Sequence, residues 1–222
     1  YRNMNIESIT ARKLLQMKAF YVQVAHPFKW SNGWKAPIYL DDRKILSFAQ
    51  ARAFIKLELS RIVAEHFPDI DLIAGVATSA IAHGVLVAEQ LGLPFVYVYP
   101  TPKDHGMENQ IEGELRPRQK VVIIENQVNM GMNLANVIEA IRNNGCMVEG
   151  VITIFDYQFP AAQKRLSVAG VPLLSLTNFE TILAQAEQDN IYSTQDIAIL
   201  KEWHRTPTKW KAVCQNLNTK VK

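Results

Sequence analysis

The sequence contains little cysteine, glycine or proline, and it has no long apolar run. Two cysteines among 222 residues cannot build a disulfide framework or a metal knuckle. Ten glycines and ten prolines exclude collagen-like and low-complexity chains. No apolar stretch approaches the roughly 18 residues of a membrane span, and the opening residues lack the apolar core of a secretory signal. We therefore expect a cytoplasmic protein with no membrane partner.

The charge balance is also small. Lys and Arg number 24 against 21 Asp and Glu, which gives a net charge of +3, too mild to indicate a nucleic-acid-binding protein. Apolar residues make up 48% of the chain, enough for a sizeable core. The length fits one domain. We expect a single domain over residues 1–222 that binds no nucleic acid.

Short β-branched stretches alternate with amphipathic ones along most of the chain. This pattern predicts an α/β fold with a mainly parallel sheet flanked by helices, in which ligands bind at the carboxyl ends of the strands. Residues 100–120 have no hydrophobic periodicity, and a loop of that length is typical of a functional segment. Strands are predicted at 71–77, 95–99, 121–125, 148–157 and 171–177, and helices at about 6–19, 47–67, 81–91, 134–142, 179–188 and 194–204.

Two of the predicted loops carry residues suited to anion binding or proton transfer. The segment GVATSAIAHG (75–84) joins a strand to a helix, so its backbone amides can hold an anion; the alternative is ordinary N-capping by Thr78 or Ser79. Lys103, Asp104 and His105 lie in the long loop, where a cation, a carboxylate and an imidazole suit catalysis under a closing lid. The alternative there is a solvated charged loop. We expect His83 to be a core histidine.

A third segment combines a carboxylate with a glycine turn. VVIIE (121–125) is followed by NQVNMGMN, which predicts Glu125 at a strand tip and a turn around Gly131 that leads into a helix. The carboxylate can accept from ribose hydroxyls while the turn amides cradle a phosphate. P-loop, dinucleotide and zincin motifs do not occur in the sequence.

Taken in order, these segments resemble the type I phosphoribosyltransferases, most closely the orotate phosphoribosyltransferase family. The resemblance covers nearly the whole chain: FKWSNGWKAPIYLDDR (28–43) resembles the base-binding hood, GVATSAIAH the pyrophosphate loop, PKDHGMENQIEGEL the flexible catalytic loop, and VVIIENQVNMGMN the phosphoribosyl diphosphate (PRPP) signature. It implies a type I phosphoribosyltransferase fold with a small hood, formed by about 20–45 and the C-terminal region. It also implies PRPP and orotate as substrates, Mg²⁺ with PRPP, and a homodimer with loops exchanged across the interface.

The resemblance further implies roles for single residues, with none of them a direct metal ligand. Lys103, Asp104 and His105 fall on the catalytic loop, and Tyr39, Leu40 and Tyr157 fall on base-binding positions. The positions that match PRPP contacts are Thr78, Ser79, Ala80, Tyr99, Glu125, Asn126, Asn129, Met130, Gly131, Met132 and Asn133.

Several of these PRPP positions depart from the family pattern. The second acid of the signature is Asn126, Tyr99 replaces an arginine, and Met130 and Met132 replace small turn residues, placing apolar side chains where a phosphate should sit. A charged hydrogen bond contributes about 1.5–3 kcal/mol, so four lost contacts would remove roughly 6–12 kcal/mol if additive, against about 8 kcal/mol for a micromolar ligand.

Two hypotheses therefore stay open at this point. One is a working orotate phosphoribosyltransferase with a weakened site, and the other is a non-catalytic paralogue that binds another ligand or partner. A transcription regulator of the same fold is disfavoured, because it needs a DNA-binding module for which we see no room before Phe28.

Overall fold

The computed structural model describes residues 5–30, 33–102 and 109–210. The strands are β1 (Phe20–Val22), β2 (Phe28–Lys29), β3 (Lys35–Ala36), β4 (Ile38–Leu40), β5 (Leu72–Val76), β6 (Phe95–Val98), β7 (Ile111–Glu112), β8 (Lys120–Val128), β9 (Met147–Asp156) and β10 (Leu173–Asn178). The helices are α1 (Ile6–Gln16), α2 (Ala49–His66), α3 (Ile81–Leu91), α4 (Met132–Asn143), α5 (Pro160–Ala169), α6 (Phe179–Gln188) and α7 (Thr194–Arg205), and a 3₁₀ helix spans Asp42–Ser47. Within these described ranges, no helix combines the length and apolarity needed to cross a bilayer.

Six strands form a central sheet in the order β10-β9-β8-β5-β6-β7. All of its pairings are parallel except that of the short β7, which runs antiparallel to β6. The predicted α/β fold with a mainly parallel sheet is therefore confirmed. The chain moves outward from β5 to β6 and β7, then returns to β8 beside β5 and continues to β9 and β10. The direction of winding reverses between β5 and β8, which is where open parallel sheets bind ligands.

Helices cover both faces of this sheet. Ile73 and Val122 face a core shared with α1 and α2, whereas their neighbours Leu72 and Val121 face a core shared with α4 and α5. Successive side chains of a strand point to opposite faces, so a strand buried on both sides needs an unbroken apolar run. This explains why the central strands read as continuous apolar stretches rather than as alternating ones.

Strand β8 differs from its prediction in a way that matters for the site. It continues to Val128, three residues beyond the predicted end, and Gln127 and Val128 still pair with β9. The ladder uses backbone groups, so the polar side chains of Asn126 and Gln127 do not end it. Glu125 consequently lies inside the strand and not at its tip. The loop over 100–120 also differs, because β7 interrupts it.

Two small two-stranded sheets, β1 with β4 and β2 with β3, lie apart from the central sheet. Helix α7 packs against them through Trp203, which is fully buried and donates from Nε1 to the Lys35 carbonyl at 3.3 Å. The Trp203 ring meets Trp30 edge-on with centroids 5.5 Å apart. The described part of the predicted hood therefore contacts the C-terminal helix, and the domain boundaries stay a prediction.

Candidate active site

A cavity of about 450 Å³ opens at the carboxyl ends of β5 and β8. It lies where the direction of winding reverses between β5 and β8, and three groups of residues line it. They are Val76, Ala77 and Ser79 at the end of β5 and just after it; Glu125, Asn126, Gln127, Val128, Asn129, Gly131, Asn133 and Leu134 along β8 and the start of α4; and Lys29, Trp30, Tyr39 and Tyr157 on the hood side.

Glu125 is the buried acid of this cavity, with 8% of its surface exposed. Burial raises its pKa to about 8, the Asn126 backbone N–H opposes the increase, and the nearby Asp42 carboxyl adds to it. That N–H donates to Glu125 Oε1 at 2.9 Å. Burial therefore favours the protonated form of Glu125 at pH 7, and positive charge close to the carboxyl would favour its ionised form.

Two helices begin at the cavity without a side-chain cap. Helix α3 starts after Ala80 and α4 starts after Gly131, and neither first turn has a capping side chain. The N-capping alternative for Thr78 and Ser79 is therefore wrong. Backbone N–H groups and the helix dipole make such helix starts favourable for anions. The cavity thus has two places suited to phosphate groups, one beside Ser79 and one beside Gly131.

The turn before α4 is held by short-range contacts. Asn129 Oδ1 accepts from the Met130 backbone N–H, and Arg165 Nη1 donates to the Met130 carbonyl at 2.6 Å. Met130 packs against the core, Met132 is 54% exposed, and neither lines the cavity. The two methionine side chains therefore do not fill this cavity.

Aromatic residues form the hood side of the cavity. Trp30 contacts the buried Tyr157 edge-on with ring centroids 5.1 Å apart, and Tyr39 contacts Phe28 at 5.6 Å. Burial raises the pKa of Tyr157 far above its ordinary value, so its hydroxyl stays protonated. Aromatic faces beside a few polar groups suit a planar heterocycle. Of the three predicted base contacts, Tyr39 and Tyr157 line the cavity, whereas Leu40 is buried and does not line it.

Three of the other residues predicted to bind PRPP, Thr78, Ala80 and Tyr99, do not line the cavity. Thr78 is exposed and Ala80 is buried. Tyr99 is not a lining residue, and its backbone N–H donates to the Gln110 carbonyl at 2.8 Å. The catalytic-loop residues Lys103, Asp104 and His105 lie outside the described residues.

The expectation for His83 is confirmed. Its side chain is buried at 2% exposure, and burial lowers its pKa to about 4. It is therefore a neutral packing residue of α3.

Four residues at or near the cavity were not predicted from the sequence. Lys29, Trp30 and Gln127 line it, and Asp42 is buried beside Asn126 and Glu125. Lys29 and Trp30 belong to the segment that resembles the hood, so their position in FKW was an available signal. Gln127 lies beyond the predicted end of the strand, and only the extra length of β8 brings it to the cavity.

Sequence comparisons decide the family. No protein-family model matches the chain. It is 49% identical to the orotate phosphoribosyltransferase of Bacteroides fragilis over 207 residues, covering 93% of this chain and 98% of the relative. It is 50% identical to that of Phocaeicola vulgatus with the same coverage. The chain belongs to the orotate phosphoribosyltransferase family.

The fold comparison agrees with this membership of the orotate phosphoribosyltransferase family. The crystal structure of orotate phosphoribosyltransferase from Aeropyrum pernix superposes with a TM-score of 0.69 at 25% identity, covering 80% of this chain and 99% of that one. The predicted type I phosphoribosyltransferase fold and the predicted family are both confirmed. The orotate phosphoribosyltransferases are transferases, so the prediction of an enzyme family is confirmed as well.

Replacement of Gly131 tests whether the turn before α4 takes part in substrate binding. Its φ is +71°, and an added Cβ would lie 3.2 Å from the Ala162 Cα. Left-handed backbone costs a non-glycine residue about 1–2 kcal/mol, so we expect Gly131→Ala to lose about that much stability and to raise the KM for PRPP about tenfold.

Gly92→Ala is the matched control for that variant. Gly92 has φ +67° and open space around it, at the far end of α3. Its replacement should cause a similar loss of stability in chemical denaturation but leave the KM for PRPP unchanged. Equal effects of the two variants on KM would contradict a role for the Gly131 turn in binding.

Proposed function

We propose that the chain catalyses the Mg²⁺-dependent reaction of orotate with PRPP, giving orotidine 5′-monophosphate and diphosphate. The observation that carries this proposal is the single cavity that joins a buried carboxyl, two uncapped helix starts and an aromatic side. These parts match the ribose, the phosphate groups and the base of one substrate pair. The 49% identity to a curated orotate phosphoribosyltransferase supports the choice of base.

Each part of the cavity has a role in this proposal. Glu125 accepts from the ribose hydroxyls and stabilises the positive charge that develops at the anomeric carbon. The α4 start holds the 5′-phosphate, and the α3 start beside Ser79 holds the diphosphate. Trp30 and Tyr39 contact the orotate ring, and the Lys29 ammonium faces its carboxylate.

The proposed role of the catalytic loop rests only on the resemblance to the family. Lys103 and His105, with Asp104 between them, are expected to close over the departing diphosphate, excluding water and neutralising its charge. We also propose a homodimer in which this loop reaches the neighbouring subunit's site. A cytoplasmic location stays a prediction from the sequence.

The site is compatible with Mg²⁺ brought in by the substrate. Mg²⁺ commonly binds through one or two carboxylates, substrate phosphates and water. Among the described residues no group of three or more His, Cys, Asp or Glu side chains could form a protein cage for it. When bound with PRPP, Mg²⁺ supplies charge neutralisation for the leaving diphosphate.

Metal removal tests this part of the proposal. EDTA in excess over Mg²⁺ should abolish both turnover and the heat of PRPP binding in calorimetry, and added Mg²⁺ should restore both. Binding of PRPP at unchanged affinity in EDTA would contradict a substrate-borne metal.

The non-catalytic alternative has no observation of its own in the described residues. Of the substitutions that motivated it, Tyr99, Met130 and Met132 lie outside the cavity lining. A single comparison separates the two hypotheses: calorimetry with PRPP and Mg²⁺ should show saturable binding, whereas a paralogue that has lost the site should show none at millimolar PRPP.

A further inference from the structure

We propose that His204 is a positioning residue for the base: its hydrogen bond to the Tyr157 carbonyl fixes the aromatic side of the cavity, against which the heterocycle binds. This inference rests on the proposed function, since it takes the hood side as the place of the orotate ring. His204 lies in the last turn of α7 and does not line the cavity itself. Its effect on the substrate therefore passes through Tyr157.

The backbone of Tyr157 is held from two sides. Its N–H donates to the Val128 carbonyl at 2.9 Å, at the end of β8. Its carbonyl is bonded to Nε2 of His204, and because a carbonyl oxygen only accepts, Nε2 carries the proton. Val128 and Tyr157 both line the cavity. The two bonds together set the position of the aromatic side relative to the strand that carries Glu125.

The imidazole ring is itself fixed by aromatic stacking. It stacks on Phe179 with ring centroids 4.2 Å apart and on Phe159 at 5.0 Å, with interplanar angles of 12° and 19°. Both phenylalanines are 2% exposed, and the preceding Trp203 joins α7 to the hood. A phenyl ring would stack in the same place, so packing alone gives no reason for a ring nitrogen there. The hydrogen bond to Tyr157 supplies one.

The turn that follows Tyr157 depends on such contacts. Gln158 has φ +59°, a left-handed conformation that is unfavourable for a residue with a side chain. Its N–H donates to Asp156 Oδ1 at 2.7 Å, and its Oε1 accepts from the Glu180 backbone N–H at 3.2 Å. Without the imidazole the carbonyl of the buried Tyr157 loses its donor, which is unfavourable. Rotation of this peptide towards another donor would displace the tyrosine.

A displaced Tyr157 would change the surface that faces the base. Its ring meets Trp30 edge-on with centroids 5.1 Å apart, and Trp30 lines the cavity as well. The proposed phosphate places are backbone N–H groups of other segments, at the starts of α3 and α4. We therefore expect His204 to affect the binding of orotate and not that of PRPP.

Two variants separate the hydrogen-bond donor from the ring. His204→Phe keeps the stacking and loses the donor, whereas His204→Gln loses the ring and keeps an N–H donor at a similar reach. His204→Phe should raise the KM for orotate about tenfold, as expected if about one molecule in ten keeps the competent arrangement, with the KM for PRPP within twofold of the parent. His204→Gln should have a lower thermal midpoint but a KM for orotate within threefold of the parent.

Ile141→Val is the matched control for a general loss of stability. Ile141 is fully buried in α4 and belongs to the core on the face of the sheet opposite to Trp203. Removal of one methyl group there should lower the thermal midpoint and leave the KM for orotate at the parental value. A rise in this KM equal to that of His204→Phe would show that stability alone sets it and would overturn the inference.

A measurement without substrate tests the hydrogen bond itself. In protein labelled with ¹⁵N in its histidine rings, the chemical shift tells which ring nitrogen is protonated, and the His204 signals, among those of five histidines, are identified by their loss in His204→Gln. At pH 8 we expect the proton on Nε2. A proton on Nδ1 alone would overturn the role of His204.

The kinetic outcomes separate this inference from the proposed function. A KM for orotate within twofold of the parent in His204→Phe, or an equal rise in His204→Phe and His204→Gln, would overturn the role of His204 and leave the proposed function in place. Absent turnover in the parent protein would overturn both.

Discussion

Replacement of Glu125 by Gln is expected to lower kcat/KM for PRPP by about 10²–10³-fold, the usual cost of removing one electrostatic group aimed at transition-state charge. Gln keeps the size and one acceptor oxygen but cannot ionise as positive charge develops at the anomeric carbon. Steady-state kinetics with varied PRPP measures the loss. Glu139→Gln, an exposed acid on α4, should behave as the parent protein.

The same variant should gain stability where the parent loses it. Burial raises the folded-state pKa of Glu125 from 4.5 to about 8, so the folded chain keeps a proton that the unfolded chain releases. The free energy of unfolding therefore falls as pH rises from about 4.5 to about 8, by at most about 1.4 kcal/mol per pH unit for this group. Urea denaturation of Glu125→Gln should show a flatter pH profile and higher stability at pH 8.

The opposite outcome would be informative. If Glu125→Gln were less stable than the parent at pH 8, the carboxyl would be stabilised rather than strained by its surroundings. Asp42 contributes to the parent profile in the same direction, since burial raises its pKa to about 6. The Glu125→Gln protein should therefore keep a smaller decline, between about pH 4 and 6.

Trp203→Ala is expected to have the largest effect on stability, a loss of about 3–5 kcal/mol in the free energy of unfolding. The indole is fully buried, contacts Trp30 and Phe159 edge-on, and donates to the Lys35 carbonyl. Its removal leaves a cavity between α7 and the strands β2 and β3 of the hood. Because Trp30 also contacts Tyr157 beside the substrate cavity, the KM for orotate should rise with the loss of stability.

Two controls make the Trp203 result specific. Trp203→Phe keeps most of the packing and loses the hydrogen bond, so it should cost about 1 kcal/mol for that bond plus a smaller packing loss. Val168→Ala removes methyl groups from a side chain that is 82% exposed and should change stability by less than about 0.5 kcal/mol. A Trp203→Ala protein with parental stability would contradict the docking of α7 on the hood.

Periodicity predicted the sheet and its helices well because the central strands are buried on both faces. The apolar run VVII predicts a buried strand, which is part of β8. Gly92 predicts the end of α3, where the backbone is left-handed. The end of β8 was wrong because ladder pairing with β9 is a tertiary effect that polar side chains do not reveal. That error placed Glu125 at a strand tip, where its burial and raised pKa could not be predicted.

Sequence analysis identified those site residues that belong to a recognisable segment of the chain. Glu125, Gly131 and Ser79 could be named from their segments, and they do line one cavity. Asp42 could not be found in that way, because it lies 84 positions from Asn126 in the chain and only folding brings the two together. The linear motif predicts both methionine side chains where a phosphate should sit. In the folded chain Met130 packs against the core and Met132 is exposed.

The proposed reaction is the transfer of a phosphoribosyl group to orotate bound in this cavity. We would follow orotate absorbance at high enzyme concentration with excess PRPP and Mg²⁺, using Glu125→Gln as the parallel sample. We expect a loss of orotate that requires both PRPP and Mg²⁺ and that is about 10²–10³-fold slower in the variant. A flat trace from folded protein with all components present would contradict it.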